Sequence, residues 1–469
     1  MNHTKLPIAD IPAIAIALPD EVKMYHYSGD FAGELTCLDR WLARNIPACL
    51  RRRLEIQKLF ATQLLDDYPL TRTEVVAAIR ERYPIADEST LNAFIASGNV
   101  DYILKGGEMR FQHAAVSNIF KTHTEELEAL QNPNVTSVTA TSTLPEHLRI
   151  LQEEGSLAYR YEVEHEIRLE SHAERPGEIL RLWFPYPVAC DTQPGDEIRL
   201  ISSSHPATVT GTVHRAAFME VPCEPGATYS VRYSFVHRAR YIPLDLNRTS
   251  APPVGEGLSD AELAAYTAEQ SPHIRFTPFI KALAAEIAGN ETDPLRLARR
   301  IYDYICEHVR YSYVRDYLLI ENIPEFVLTN GYGDCGTMAL AFITLCRALG
   351  IPAKWQSGMA CYPDSIGSHD WAMFYIAPYG WLYCDPSYGE GAARSGNEAR
   401  REHYFGNLDP YRLVASNEFQ QPLTPDKVLC RMDPYDNQNG EGEYADGIHN
   451  IFFEDYHPTR RVLHGERIE

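Results

Sequence analysis

Residues 330–355 read NGYGDCGTMALAFITLCRALGIPAKW. Gly331 and Gly333 bring the chain into a tight approach, and the run that follows has helical spacing from Cys335 to Leu349. Met338, Ala341, Phe342, Leu345 and Leu349 form a buried stripe along it. Gly350 stands where a helix ends on a left-handed residue, and Pro352 forbids continuation. Cys335 therefore falls in the first turn of a buried helix. There the free N–H groups and the positive end of the helix dipole favour a thiolate over a thiol. The preceding glycines are expected to leave the sulfur open to a substrate.

A thiolate nucleophile needs an imidazole to pair with and to hand the proton to the leaving group. Residues 367–389, GSHDWAMFYIAPYGWLYCDPSYG, supply one. His369 begins an apolar strand that reaches Ile376, Ala377–Gly380 turns the chain, and WLYCD returns as the antiparallel neighbour. The hairpin brings Asp385 back towards the His369 end, where a carboxylate can hold the imidazole tautomer. Cys, His and Asp follow in that order, 34 and 16 residues apart.

Together these stretches resemble the transglutaminase-like superfamily of papain-related cysteine enzymes. The resemblance rests on Gly333-x-Cys335, the following LCRALGIPAKW, the His369-x-Trp371 pair and Trp381-x-x-x-Asp385-Pro386, and covers roughly residues 275–390. It implies a papain-like α+β core with Cys335 as nucleophile, His369 as general base and acid, and Asp385 as the orienting carboxylate. It implies amide chemistry through a thioester, either hydrolysis of a peptide or protein or transfer to an amine acceptor. A peptidoglycan stem peptide is one candidate substrate. Hydrolysis is the simpler expectation, because water needs no second binding site. A non-catalytic binding protein that keeps the fold is the alternative of another class. Tyr332 and Trp371 are expected at the substrate cleft. Animal transglutaminases carry a tryptophan ahead of the nucleophile that assists the oxyanion. The five tryptophans here, at 41, 183, 355, 371 and 381, include none in the core upstream of Cys335. The oxyanion then falls to the Cys335 N–H with Tyr311 or Tyr313 as side-chain donor. No acidic loop resembles a calcium cage and no C-x-x-C pair supports zinc, so neither a metal nor a cofactor is expected.

Working outward, residues 30–130 read as helices around a hairpin at Gly106–Gly107, the helix–helix–hairpin order of a winged-helix unit. Its one basic cluster, Arg51, Arg52, Arg53 and Lys58, sits in a stretch with slightly more acids than bases, which argues against nucleic acid. A Ser/Thr-rich linker is expected at 137–143, and NRTSAPPVGEG at 247–257 is another. Between them short alternating segments such as YRYEVEHEIRLE and TYSVRYSFVHRARYIPL describe a β-sandwich. The expected multidomain α+β arrangement is a helical domain at 1–136, a β-sandwich at 144–246 and the catalytic domain at 258–469. Residues beyond Pro434 are read as a polar tail over that core.

Composition agrees with a folded, acidic chain: 469 residues, 45% hydrophobic, 23% charged, net charge −21. That acid surplus opposes affinity for nucleic acid or anionic membrane, and no apolar run approaches the ~20 residues of a membrane helix. The start of the chain lacks the pattern of a secretory signal, so a cytoplasmic location is expected, or a periplasmic or secreted one for a processed form. Of the ten cysteines, nine read as small buried hydrophobes. Nothing in the sequence fixes an oligomeric state.

Overall fold

The computed structural model describes residues 5–131, 144–363, 365–431 and 433–468. The linker expected at 137–143 lies outside them. The chain opens with α1 (Asp20–Ser28), α2 (Phe31–Leu42) and the long α3 (Ala48–Asp67), which begins straight after Pro47. The arginines of α3 are consumed internally. Arg51 donates to the Leu42 carbonyl at 2.6 Å, Arg52 pairs with Asp10 and Glu55, and the fully buried Arg53 donates to Gln57 and Glu321.

Next come α4 (Arg72–Arg82), α5 (Glu88–Ser97), the hairpin β1 (Tyr102–Lys105) and β2 (Glu108–Phe111), α6 (Ala115–Thr122) and α7 (Thr124–Gln131). A Thr71–Glu74 capping box starts α4, and the unit closes a small core around Val75, Ile79, Leu91, Phe111 and Ile119. By contrast Ile56, Phe60 and Leu64 of α3 share one core with Ile301, Leu340 and Phe374 of the carboxy-terminal half. The amino-terminal segment is thus partly its own unit and partly built into its neighbour.

After α8 (Glu146–Glu154) come β3 (Ser156–Leu169), β4 (Ile179–Pro185), β5 (Arg199–Ser203), β6 (Ala207–Thr210), β7 (Ala216–Pro222) and β8 (Thr228–Arg240). Alternate residues of the long strands, such as Tyr161 and Val163 on β3 and Val231 and Tyr233 on β8, are buried, as a one-sided antiparallel strand requires.

The next unit runs α9 (Asp260–Thr267), α10 (Pro278–Ala288), α11 (Pro294–His308), β9 (Arg310–Tyr311), α12 (Ile323–Asn330), β10 (Tyr332–Gly333) and α13 (Cys335–Ala348). It continues through β11 (Ala353–Tyr362), β12 (Ser365–Ile376), β13 (Gly380–Cys384), α14 (Pro386–Arg394), α15 (Glu398–His403), β14 (Phe405–Gly406) and β15 (Arg412–Ser416). One sheet, ordered β14-β13-β12-β11-β15, carries it. Helix α13 is buried all round from Cys335 to Arg347, not along one stripe, and Gly350 closes it at φ +79°. Ala372, Phe374 and Ile376 of β12 share a core with α13, whereas Trp371 packs with Val188, Leu408 and Val414 on the opposite face.

The end of the chain departs from the expected tail. Strands β16 (Glu441–Tyr444), β17 (Asn450–Ile451) and β18 (Tyr456–Arg467) complete the two sheets of the middle segment, β17-β16-β4-β7-β6 and β18-β3-β8-β5. Only Tyr456 of β18 is buried; the strand is held by its antiparallel ladder to β3, so it shows no apolar alternation to read. Among the described residues no helix is long and apolar enough to cross a membrane. The Tyr456 hydroxyl donates to the Gly440 carbonyl at 2.8 Å. Tyr456→Ala is expected to cost ~3–5 kcal/mol, read as a lower urea midpoint.

Candidate active site

Helix α13 starts where Asp334 caps it. The Thr337 N–H donates to the Asp334 carboxylate at 3.1 Å, and the Asp334 N–H donates to the Thr337 hydroxyl at 2.9 Å. Cys335, the first helical residue, is 8% exposed, and its thiol donates to Asp370 Oδ2 at 3.5 Å. The space beside it exists because residue 336 is glycine. A Cβ there would lie 2.7 Å from the same Asp370 oxygen and clash with the Tyr317 hydroxyl. The space that Gly336 leaves is occupied by a carboxylate and the Tyr317 hydroxyl.

Burial drives the thiol well above its ordinary pKa, and the Asp370 and Asp334 carboxylates push the same way. A helix terminus favours the thiolate by only ~0.3–1 kcal/mol, while taking a charge out of water costs several kcal/mol. Desolvation outweighs the helix terminus, so these surroundings favour the thiol where a thiolate was expected. Asp370 is itself raised well above the carboxylate range, first by burial and then by the nearby Asp334 and Asp433. Its second oxygen accepts from Gln438 Nε2 at 2.6 Å.

His369 precedes Asp370 on β12, and neighbouring side chains of a strand leave opposite faces. The imidazole Nε2 lies 2.7 Å from Asp385 Oδ2, both residues being buried. The register that opposes Ala372 to Cys384 brings Asp385 there, and Asp385 also caps α14 by accepting from the Tyr388 N–H at 3.0 Å. Arg412, with no exposed side-chain surface, places Nη2 3.0 Å from Asp385 and 2.6 Å from Asp409. Burial alone would raise Asp385; the His369 and Arg412 charges overcome it and hold the carboxyl below the usual range.

Of the other expected site residues, Tyr311 and Tyr313 line a cavity of about 240 Å³ beside Cys335 and Asp370, with Tyr317, Asp334, Asp433 and Phe453. Trp371 does not reach that cavity. It is fully buried, donates to Gln356 Oε1 at 2.7 Å, and lies 6.0 Å from the imidazole centroid, because the pleat turns it away from α13. Tyr332 packs edge-on against Phe326 and lines a separate groove instead. Among the described residues no hydrogen bond or ion pair joins Cys335 to His369. The structure builds two half-sites, Cys335–Asp370 and His369–Asp385–Arg412, on opposite faces of one strand.

Sequence reasoning missed Asp370, Gln438 and Arg412. Asp370 had a signal, a lone acid at the start of an apolar strand; the other two are brought in from distant segments. Among the described residues one convergent trio of metal-capable groups occurs, Glu178, Asp446 and His449, and it includes none of these site residues.

Residues 281–386 match the family model of the transglutaminase-like superfamily, a stretch that spans Cys335, His369 and Asp385. That stretch is the transglutaminase-like part of the chain. An uncharacterized protein of Haemophilus influenzae is 29% identical over 142 residues, covering 24% of this chain and 37% of that protein. Among solved structures, one titled "Putative Cysteine Protease" from Cytophaga hutchinsonii is 13% identical, with TM-score 0.41, covering 66% of this chain and 91% of that one. The periplasmic domain of TgpA from Pseudomonas aeruginosa is 17% identical, with TM-score 0.27, covering 58% and 100%.

Removing one partner of a buried ion pair leaves the other uncompensated. Arg412→Met is expected to destabilise the protein by ~3–5 kcal/mol, measured by urea unfolding. A second expectation concerns Asp316 at the cavity edge, pushed up to about 7 by burial and by Asp67 and Asp433. Between its ordinary value of 3.8 and about 7 the folded state binds more protons than the unfolded one, so stability falls as pH rises through that window. Asp316→Asn should therefore be more stable than wild type at pH 8, by on the order of 1–3 kcal/mol, with the gain vanishing near pH 4.

Proposed function

We propose that the protein is a cysteine hydrolase that cleaves amide bonds in peptides or proteins through Cys335, His369 and Asp385. The observation that carries this reading is the buried His369–Asp385 pair, fixed by Arg412 and set one residue along β12 from the partner of a helix-start thiol. Because Nε2 faces Asp385, the free ring nitrogen is Nδ1, the atom that must take the thiol proton. In the resting arrangement that proton points at Asp370, so acylation exchanges the Cys335–Asp370 bond for a Cys335–His369 one. Sulfur then attacks the carbonyl, the imidazolium protonates the departing amine, and a thioester forms. Water adds with the imidazole as base, releasing the acid and the thiol. In this reading the oxyanion donors are the Cys335 N–H and Tyr311 or Tyr313, which line the same cavity as the cysteine. The acids Asp316, Asp334, Asp370 and Asp433 on the cavity wall are pushed towards their neutral forms by burial and by one another; an incoming amine would favour ionising them and an incoming acid would oppose it, so segments that carry amines are preferred, stem peptides included.

In this reading the chain has three working parts: the helical amino-terminal segment, a β-sandwich over 144–246 completed by β16, β17 and β18, and the catalytic unit.

A peptide library with mass-spectrometric product analysis tests the proposal. Cys335→Ala should abolish turnover, and Asp385→Asn should lower kcat by ~10³–10⁴ while leaving the cysteine in place. Turnover that survives Cys335→Ala, or amine transfer as the main product when a primary amine is added, would overturn the hydrolase reading.

A further inference from the structure

The wall of the thiol cavity formed by residues 311–317 is held from two directions. Its own unit supplies the β9–β10 bridge, where the Ser312 N–H donates to the Gly333 carbonyl at 2.8 Å, the Tyr317 hydroxyl on Asp334, and contacts of Tyr311 with Glu390 and of Arg315 with Tyr332 and Phe326; a second set of partners comes from far earlier in the chain. Asn118 of α6, 3% exposed, grips the Tyr313 backbone at both ends: its amide donates to the Tyr313 carbonyl at 2.8 Å, and the Tyr313 N–H donates to its side-chain oxygen at 3.0 Å. Arg315 pairs with Asp101, a buried acid just ahead of β1 that also accepts from Tyr68. Gln63 of α3 donates to Asp316 at 2.6 Å. Lys121 places its ammonium 3.2 Å from the Tyr313 ring centroid and 5.4 Å from that of Tyr311.

Residues 313, 315 and 316 are therefore each fastened to a different element of the amino-terminal segment, and each lines the cavity beside Cys335. A double hydrogen bond from a buried amide fixes a backbone unit in both position and orientation, which a packing contact does not. We infer that the amino-terminal segment is a positioning module for the cleft, and that Asn118 is its principal positioning residue. It touches no reacting atom; it sets where the Tyr311–Tyr317 wall stands relative to the sulfur. The inference rests on the hydrolase reading for its kinetic arm alone.

The test compares wild type with Asn118→Ala and Asn118→Asp by amide hydrogen exchange, by iodoacetamide labelling of Cys335 and by peptide kinetics. Asn118→Ala should speed exchange over residues 312–317 by roughly tenfold or more while amides within α13 keep wild-type protection. Asn118→Asp still accepts from the Tyr313 N–H but cannot donate to its carbonyl, so its exchange should fall between the two. Labelling of the now less enclosed thiol should quicken, and KM should rise with little change in kcat. Unchanged exchange over 312–317, or protection lost equally from α13, overturns the proposal. If Asn118→Ala does not fold, Gln63→Ala, whose side chain sits at the cleft edge, is judged by the same two outcomes. A wild type without peptidase activity ends the hydrolase reading and leaves the exchange result to decide this one.

Discussion

The two-residue period of β12 governs both halves of the site. The strand lies inside its sheet, with α13 against one face and the Trp371 cluster on the other, so each side chain is committed to one environment or the other. Asp370 falls on the α13 face and meets the thiol. His369 falls on the opposite face and meets Asp385 and the Tyr388 ring, whose centroid is 4.5 Å from that of the imidazole. No rotamer change moves a residue between faces.

The same strand separates two opposite solutions to burying a carboxylate. Asp385 is supplied with an imidazole, a guanidinium, a hydroxyl and a backbone N–H, and stays ionised at full burial. Asp370 has one amide donor, the thiol and a hydrogen bond shared with the acid Asp436, with further acids close by, and is driven towards its neutral form. Solvation by fixed donors substitutes for water in the first case; the second lacks enough of it. A thiol hydrogen-bonded to such a carboxyl is favoured over the thiolate.

Much of this core was legible in sequence because it is local. The start of α13 is written in Asp334 and Cys335, its end in Gly350, and the return of Asp385 to His369 follows from a turn that ends on Gly380. What was not legible depends on partners far along the chain. β18 pairs with β3 across some 290 residues through backbone groups that carry no side-chain signature, and nothing around Arg412 announces that it will lie buried against Asp385. Asp370 shows an intermediate case. The polar residue in the His369-Asp370-Trp371 triplet is visible, but its face, and hence its contact with the sulfur, is fixed only once the packing of α13 is known.

That distribution bears on what the superfamily core alone can do. Residues 281–386 contain the thiol, the imidazole and the carboxylate, yet the cavity around the thiol is closed by Asp433, Gln438 and Phe453 from beyond the core, and its tyrosine wall is pinned from before it. Gln438 donates to both the His369 carbonyl and the Asp370 carboxylate, so a segment outside the matched core touches each half-site at once. On the hydrolase reading, access to the sulfur is shaped by the two flanking segments as well as by the core, because residues from both line or fasten the cavity wall.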